Sequence, residues 1–373
     1  MSRPGISDAR RLVVKIGSSS LTESSGGLAR ERVLALVEAV VGRRDSGAEI
    51  VMVSSGAIAA GLDPLGLYRR PQDLATLQAA STVGQSLLVG TYAIGFARHG
   101  IAVGQVLLTA EDVMRRAHYR NAQRTLERLL SLGAVPIINE NDAVATEEIR
   151  FGDNDRLAAL VAHLVSADGL VILSDVDGLY DGDPRRGEAE LVEVVAGEDD
   201  LTSVRLGRTG SAVGTGGMAS KVAAARTATQ AGVAVVLTST ARAASALAGE
   251  PVGTYFVPTG RRHSSRLLWL AHASAPTGRL YLDAGAVAAV VERGASLLAA
   301  GITGVEGEFA AGDPVDIVGP EGHRVGRGLV GYDATEMPML LGRSTHQLGP
   351  GHQREVVHRD DLVLLPREVT SLP

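Results

Sequence analysis

Only two of the chain's 36 basic residues are lysines, Lys15 and Lys221; the other 34 are arginines. Lysine carries a compact point charge on a flexible stem, whereas arginine presents a wide planar fork. Where arginine has replaced lysine almost everywhere, a surviving lysine marks a position that needs the smaller cation. Both survivors sit beside glycines, in "RLVVKIGSSS" (residues 11–20) and in "GTGGMASK", which ends at Lys221. In the second stretch Gly214, Gly216 and Gly217 precede a helical pattern, with Lys221 one turn inside it. Backbone N–H groups, a helix dipole and an ammonium would then converge on phosphate. The stretch is not a Walker A loop, which needs Gly-Lys-Ser/Thr. A transferring phosphoryl group, with short crowded oxygens, suits two small cations better than two forks. An arginine remote from these loops, such as Arg43, is expected to tolerate lysine silently.

Four further stretches hold residue types that can bind ligands. "VSSGAIAAG" places Ser54, Ser55 and Gly56 where a strand gives way to a helix, and N–H groups at a helix start attract anions. The G-x-S-x-G spacing of a nucleophilic serine is not met. "INENDAVAT" sets Asn139, Glu140, Asn141 and Asp142 after an apolar run, either as a plain turn or as a binder of an amino acid's ammonium. In "GDNDRLAAL", Asp153 suits a helix N-cap and Asp155 suits the dipole of the first turn; Asn154 has no such explanation. "SDVDGLYDGDPR" resembles a calcium loop only superficially, because Leu179 stands where a third acid belongs. An extended acidic loop after a strand fits a nucleotide's base and ribose better.

These stretches follow a regular pattern. Strand-like runs ("RLVVKIG", "EIVMVSS", "VGQVLLT", "AVPIINE", "GLVILSD", "VAVVLTS") alternate with helical ones ("LARERVLALVEAVVGRR", "NAQRTLERLLSLG", "DRLAALVAHLVSA", "ASKVAAARTATQAG"). Several strands are apolar on both parities, as strands covered on both faces are. The alternation predicts an α/β fold with a mostly parallel sheet sandwiched by helices. Ligands in such sheets sit beyond the C-terminal strand ends. From about Thr277 the texture shifts to short, glycine-cut β runs with one short helix, "AVAAVVERG", which predicts a small β-rich domain. We place domains at 1–262 and 278–363, a linker at 263–277 and a tail at 364–373.

Composition excludes several classes. With 373 residues and 45% hydrophobic content, two domains with substantial cores are expected. There is no cysteine, hence no disulfide or thiol chemistry. No apolar run reaches the ~18 residues of a membrane span, and the N-terminus lacks a signal-peptide pattern. A soluble cytoplasmic protein is expected. The net charge of -6 leaves no global nucleic-acid footprint.

Taken together, "VVKIGSSSL", "VSSGAIAAG", "INENDAVAT", "FGDNDRLAA", "SDVDGLY", "GTGGMASK" and "LDAGAVAAVVERGASLLAAGI" make the chain resemble the glutamate 5-kinase family of the amino acid kinase superfamily, in its long form with a C-terminal PUA domain. The resemblance implies the amino acid kinase fold and ATP-dependent phosphorylation of the L-glutamate γ-carboxylate, the first step towards proline. By matching motif it implies that Ser55, Asp142 and Asn154 hold glutamate. Lys15, Ser174, Asp175 and the run Thr215, Gly216, Gly217, Met218, Ala219, Ser220 and Lys221 would hold ATP. Lys15 and Lys221 would neutralise the transferring group while Asp155 orients them. Mg²⁺ with no assigned protein ligand, feedback inhibition by proline and a homo-oligomer (dimer or tetramer) are implied likewise. Ser174 stands where many relatives have threonine, and "ASK" where many have Ser-Thr-Lys; neither change removes a needed hydroxyl or ammonium. A carboxylate nucleophile is already ionised at pH 7, so no strong base is needed. Competing readings are another amino acid kinase, acting on N-acetylglutamate or aspartate, and an RNA-interaction protein on a kinase-like scaffold. From Gly278 onward the chain has 8 arginines, no lysine and 13 acids, which disfavours RNA; a local basic patch around Arg324 and Arg327 is the remaining candidate.

Overall fold

The computed structural model describes residues 3–23, 27–109, 112, 116–144, 154–182, 187, 189–197, 199–202, 217–260, 276–344, 347–349 and 353–364. The chain divides into two compact units, one of Met1–Val113 and Ala117–His263, the other of Met114–Arg116 and Ser264–Pro373. Asp153, Gly214, Thr215 and Gly216, and most of the expected linker, lie outside the described residues.

The first unit runs β1 (Arg11–Ile16), α1 (Ser18–Leu21), α2 (Arg30–Asp45), β2 (Glu49–Ser54), α3 (Ala57–Leu62), α4 (Leu74–Ala97), β3 (Val103–Leu108), α5 (Arg116–Ser131), β4 (Val135–Glu140), α6 (Asn154–Leu164), β5 (Gly169–Ser174), β6 (Val194–Val195), α7 (Asp199–Thr202), α8 (Met218–Gln230), β7 (Ala234–Ser239), α9 (Ala243–Leu247) and β8 (Thr254–Phe256). Among the described residues these strands form one eight-stranded sheet in the order β3-β4-β2-β1-β5-β7-β8-β6. Every pairing is parallel except β7 with β8. The expected mostly parallel α/β sheet is therefore present.

Strand alternation sorts the unit into layers. Leu12, Val14 and Ile16 of β1 join a buried cluster with Val33, Leu36 and Val40 of α2, Leu88, Tyr92 and Phe96 of α4, and Ala246 of α9. Successive side chains in a strand point to opposite faces. Val13 and Lys15 therefore face the other side, where α6 lies. β1 is central, with Lys15 in register with Val53 of β2 and Ile172 of β5. A lysine there is buried by topology.

The 24-residue α4 was not anticipated. Its sequence, "LATLQAASTVGQSLLVGTYAIGFA", is rich in small residues. Asp73 caps it, accepting from the Thr76 N–H at 2.8 Å. A Cβ at Gly84 would lie 1.8 Å from the Ala57 carbonyl oxygen, and one at Gly61 would lie 1.8 Å from that of Ala80. The backbones of α3 and α4 thus touch directly, and only glycine permits it.

Arg43 is not the neutral position expected. Its Nη2 donates to the carbonyls of Ile6, Ser7 and Ala9 at 3.0, 3.0 and 2.8 Å. The planar fork clamps the N-terminal segment in a way a lysine could not match, so Arg43→Lys is no silent control.

The second unit comprises β9 (Gly278–Leu282), α10 (Ala284–Val291), β10 (Ile302–Gly307), β11 (Pro314–Val318), β12 (Arg324–Val330), α11 (Met337–Leu340) and β13 (Val357–Leu364). Among the described residues it is a five-stranded sheet, β10-β9-β11-β12-β13, with only β9 and β11 parallel. Asp283 caps α10 by accepting from the Ala286 N–H at 2.7 Å. Its core, including Leu280, Ile317, Val330 and Tyr332, is its own. The suspected basic patch is compensated within the fold. Arg327 Nε donates to Asp316 Oδ1 at 2.7 Å, and Arg324 lies 3.7 Å from Asp316 Oδ2.

Candidate active site

The C-terminal ends of β1, β2 and β5 are tied together by their own backbone. Gly17 N–H donates to Leu173 O at 3.2 Å, and Ser55 N–H donates to Ile16 O at 3.1 Å. Gly56 follows in the left-handed region, at φ 101°, which turns the chain sharply from β2 into α3. Lys15 and Ser55 are thereby held on adjacent strands.

Asp155 lies in the first turn of α6 and is completely buried. One carboxylate oxygen is paired with Lys15 Nζ, and the other accepts from Lys221 Nζ at 3.1 Å. The lysine side chains are only 4% and 9% exposed. The two lysines of the chain, 206 positions apart in sequence, thus meet on one carboxylate. Its local sequence suits the helix dipole; the geometry also places it between the two lysines that the family resemblance expects it to orient. Burial pushes its carboxyl up, but the Lys15 and Lys221 ammonium groups outweigh burial and hold it below the ordinary value. A carboxyl depressed on folding contributes stability above its unfolded pKa of about 3.9, lost as pH falls through the folded value.

Asn154, one residue earlier, faces a different set of partners. Its Nδ2 donates to Asn139 Oδ1 at 2.8 Å and Ser55 Oγ at 2.9 Å, with the Ser54 carbonyl at 3.3 Å. Because Ser55 Oγ accepts here, its own O–H is left as a donor. Asn154 Oδ1 is buried without a partner among the described residues, an acceptor suited to an ammonium. Asp142 accepts from Ser81 Oγ at 2.9 Å. Asn139 Nδ2 donates to Gln85 Oε1 at 2.8 Å. Ser54 Oγ lies 3.0 Å from the hydroxyl of fully buried Tyr92, whose pKa burial raises. That hydroxyl therefore remains a neutral partner.

On the far side of β1, Ser174 ends β5 and donates through Oγ to Asp175 Oδ1 at 3.0 Å. Thr240 Oγ1 holds the Ser174 carbonyl at 3.1 Å. Gly217 occupies the N-cap of α8 in extended conformation, with no side-chain cap on the helix. Met218, Ala219 and Ser220 form its first turn. The N–H groups at the start of a 13-residue helix suit phosphate. Thr215 and Gly216, the other residues expected to hold ATP, lie outside the described residues.

Five residues of the sequence-derived set form two clusters; Asp142 is seen on Ser81, and Ser174 on Asp175. Ser55 and Asn154 form one, with Asn139. Lys15, Asp155 and Lys221 form the other. One peptide bond, Asn154–Asp155, joins them. Reading the sequence missed Ser81, Gln85 and Tyr92, all on α4. Their spacing held a signal: intervals of four and seven place them on one helical face, polar within an otherwise apolar stripe.

The amino acid kinase family model matches residues 10–239, and the PUA domain model matches residues 278–348. A glutamate 5-kinase of Frankia casuarinae is 65% identical over 97% of this chain and 99% of its own. One of Streptomyces coelicolor is 63% identical, covering 98% and 99%. Among solved structures, carbamate kinase from Giardia lamblia bound to AMP-PNP covers 67% of this chain and 99% of its own, with 18% identity and a TM-score of 0.51; that likeness speaks to the fold.

Proposed function

The chain belongs to the glutamate 5-kinase branch of the amino acid kinase family, and from that premise we propose that it phosphorylates the γ-carboxylate of L-glutamate with ATP. One observation carries the reading at the level of residues. The Asn154–Asp155 unit links a neutral amide–hydroxyl cluster, suited to an amino acid, to a two-lysine cluster, suited to a moving phosphoryl group.

In the proposed reaction a γ-carboxylate oxygen of glutamate attacks the γ-phosphorus of ATP. The new bond is carboxylate oxygen to phosphorus, the broken bond joins that phosphorus to the β,γ-bridging oxygen, and ADP leaves with the electron pair. No proton need move, because the nucleophile is already ionised. The obstacle is repulsion between anions. The Lys15 and Lys221 ammonium groups offset it, and Asp155 keeps both aimed. Ser55 O–H and Asn154 Oδ1, with Asp142, receive the carboxylate and ammonium of the amino acid. Ser174, Asp175 and the start of α8 receive the nucleotide. Mg²⁺ arrives on the ATP phosphates as part of the substrate.

Trapping with hydroxylamine tests the acceptor. Glutamate, with ATP and Mg²⁺, should give a hydroxamate at several times the rate of aspartate or N-acetylglutamate. Equal or better turnover of N-acetylglutamate would sink the assignment. In the same assay we expect proline, as feedback inhibitor, to raise the glutamate KM with kcat unchanged; a fall in kcat at constant KM would place proline elsewhere.

Three coarser proposals complete the reading. The catalytic domain spans 1–262, with the PUA domain at 278–363 in a structural or regulatory role rather than RNA binding, since Arg324 and Arg327 both pair with Asp316. A gel shift with RNA at moderate salt should show no complex; a retarded band would refute this. No described helix is long and apolar enough to cross a membrane, and we place the protein in the cytoplasm, which fractionation can check. The family's habit of forming dimers or tetramers is carried over as well; a monomeric mass in sedimentation would contradict it.

A further inference from the structure

We propose that Gln85 is a positioning residue for the amino acid substrate, acting on glutamate affinity through Asn139; this rests on the glutamate reading of the Ser55–Asn154 site. Gln85 lies on α4 and is 7% exposed. Its Oε1 accepts from Asn139 Nδ2 at 2.8 Å. The orientation of both amides follows from a third contact. The Glu140 backbone N–H, which can only donate, points at Asn139 Oδ1 at 2.9 Å. Asn139 must therefore turn its nitrogen towards Gln85, and Gln85 must answer with its oxygen.

Three fixed contacts thus hold the Asn139 amide. Its oxygen lies between Glu140 N–H and Asn154 Nδ2, and its nitrogen lies on Gln85. With the Gln85 acceptor gone, the Asn139 amide is held through its oxygen alone. Its plane can then tilt about that oxygen, which shifts the acceptor that aims Asn154 at Ser55.

Two more observations favour this role. The glycine contact at Gly61 and Gly84 locks α4, carrying Gln85, onto α3, which starts directly after Ser55 and Gly56. Gln85 and the Ser55 turn therefore lie on helices in direct backbone contact. In addition, Gln85 Nε2 is buried without a partner among the described residues. An unpaired buried donor is unfavourable, so an apolar side chain would serve stability as well or better. Gln85 contributes orientation.

The test is Gln85→Met, similar in length and lacking the acceptor. The glutamate KM should rise about tenfold or more, as losing one buried hydrogen bond predicts. The ATP KM should stay within about twofold, and the thermal midpoint within about 2 °C, since an unpaired donor leaves as another is created. In an Asn139→Ala background, Gln85→Met should add no further rise, the non-additivity of two members of one chain of contacts. An unchanged glutamate KM overturns the proposal. So do equal rises in both KM values with a lowered midpoint, which would mark a merely structural residue. If Gln85→Met does not fold, Gln85→Ser, whose vacated space admits water, is judged by the same criteria. A wild-type protein without glutamate turnover overturns the functional reading and this proposal together. A wild-type protein active on glutamate, beside a Gln85→Met variant of unchanged KM, overturns the positioning role alone.

Discussion

Asp155→Asn should lower turnover by about 10³-fold, the scale seen when a preorganised electrostatic group is removed from a transition-state site. The buried carboxylate takes Lys15 on one oxygen and Lys221 on the other. An asparagine keeps the shape and removes the charge. Two ammonium groups would then share a buried space with no counter-ion, and one would relieve the repulsion by losing its proton or swinging away. Either response removes a cation that the transferring phosphoryl group needs. Breaking a buried pair by deleting one partner typically costs about 3–5 kcal/mol, a large share of the 5–15 kcal/mol that holds a typical domain together. Activity should therefore be measured well below the variant's own unfolding midpoint. Turnover within about tenfold of the parent on a folded variant would mean that the carboxylate does not organise the cations.

Lys15→Arg and Lys221→Arg should each lose at least about 100-fold in turnover, or about 2.7 kcal/mol of transition-state stabilisation. Charge is kept in both, so attraction of ATP from a distance should survive. Two features of the site make arginine a poor substitute. The lysine side chains are almost fully enclosed, and forcing extra atoms into a packed site costs about 1–3 kcal/mol. A guanidinium also prefers to bind a carboxylate through both oxygens. At either position it would claim the whole of Asp155 and displace the other ammonium. Lys15→Arg should act mainly on kcat. Lys221→Arg should also raise the ATP KM, because its helix start would hold the nucleotide before transfer. The control is Arg98→Lys, at the exposed end of α4, which should change nothing. Near-full activity of both lysine variants would make the rarity of lysine in this chain an accident.

The sheet and the two-lysine pattern were legible because they depend on local, strong signals. The β-rich runs of β1, β2, β4 and β5 are apolar on both parities, and burial on both faces requires that. The two lysines stood out only against a background of 34 arginines. Their meeting point did not. From its neighbours alone Asp155 reads as an ordinary first-turn acid; only the family resemblance pointed to the lysines, and tertiary packing is what brings them to it. Asn154 was visible as a residue without a local explanation, and its explanation proved to be Ser55 and Asn139, 99 and 15 positions away. The long α4 escaped notice because its composition does not follow its burial: Ser81, Gln85 and Thr91 lie on the buried face while Leu87 and Ile94 are exposed, and the helix carries no charge. The polar–apolar period by which helices are found is therefore blurred. Ser81 and Gln85 were lost with it. Arg43 misled for a related reason: nothing in its sequence context reveals three carbonyls converging on one guanidinium nitrogen.

The most direct measurement follows one oxygen. Glutamate labelled with ¹⁸O in its γ-carboxylate is incubated with the protein, MgATP and hydroxylamine, and the released phosphate is examined by mass spectrometry. If a carboxylate oxygen attacks phosphorus, that oxygen becomes the bridge of the acyl phosphate. Hydroxylamine then attacks the carbonyl carbon, and phosphate departs carrying the bridge. The account predicts one ¹⁸O in each phosphate formed in step with hydroxamate, from wild-type protein and, at a far lower rate, from Asp155→Asn. Phosphate free of ¹⁸O would show that the γ-carboxylate never bonded to phosphorus, and would contradict the account at its centre.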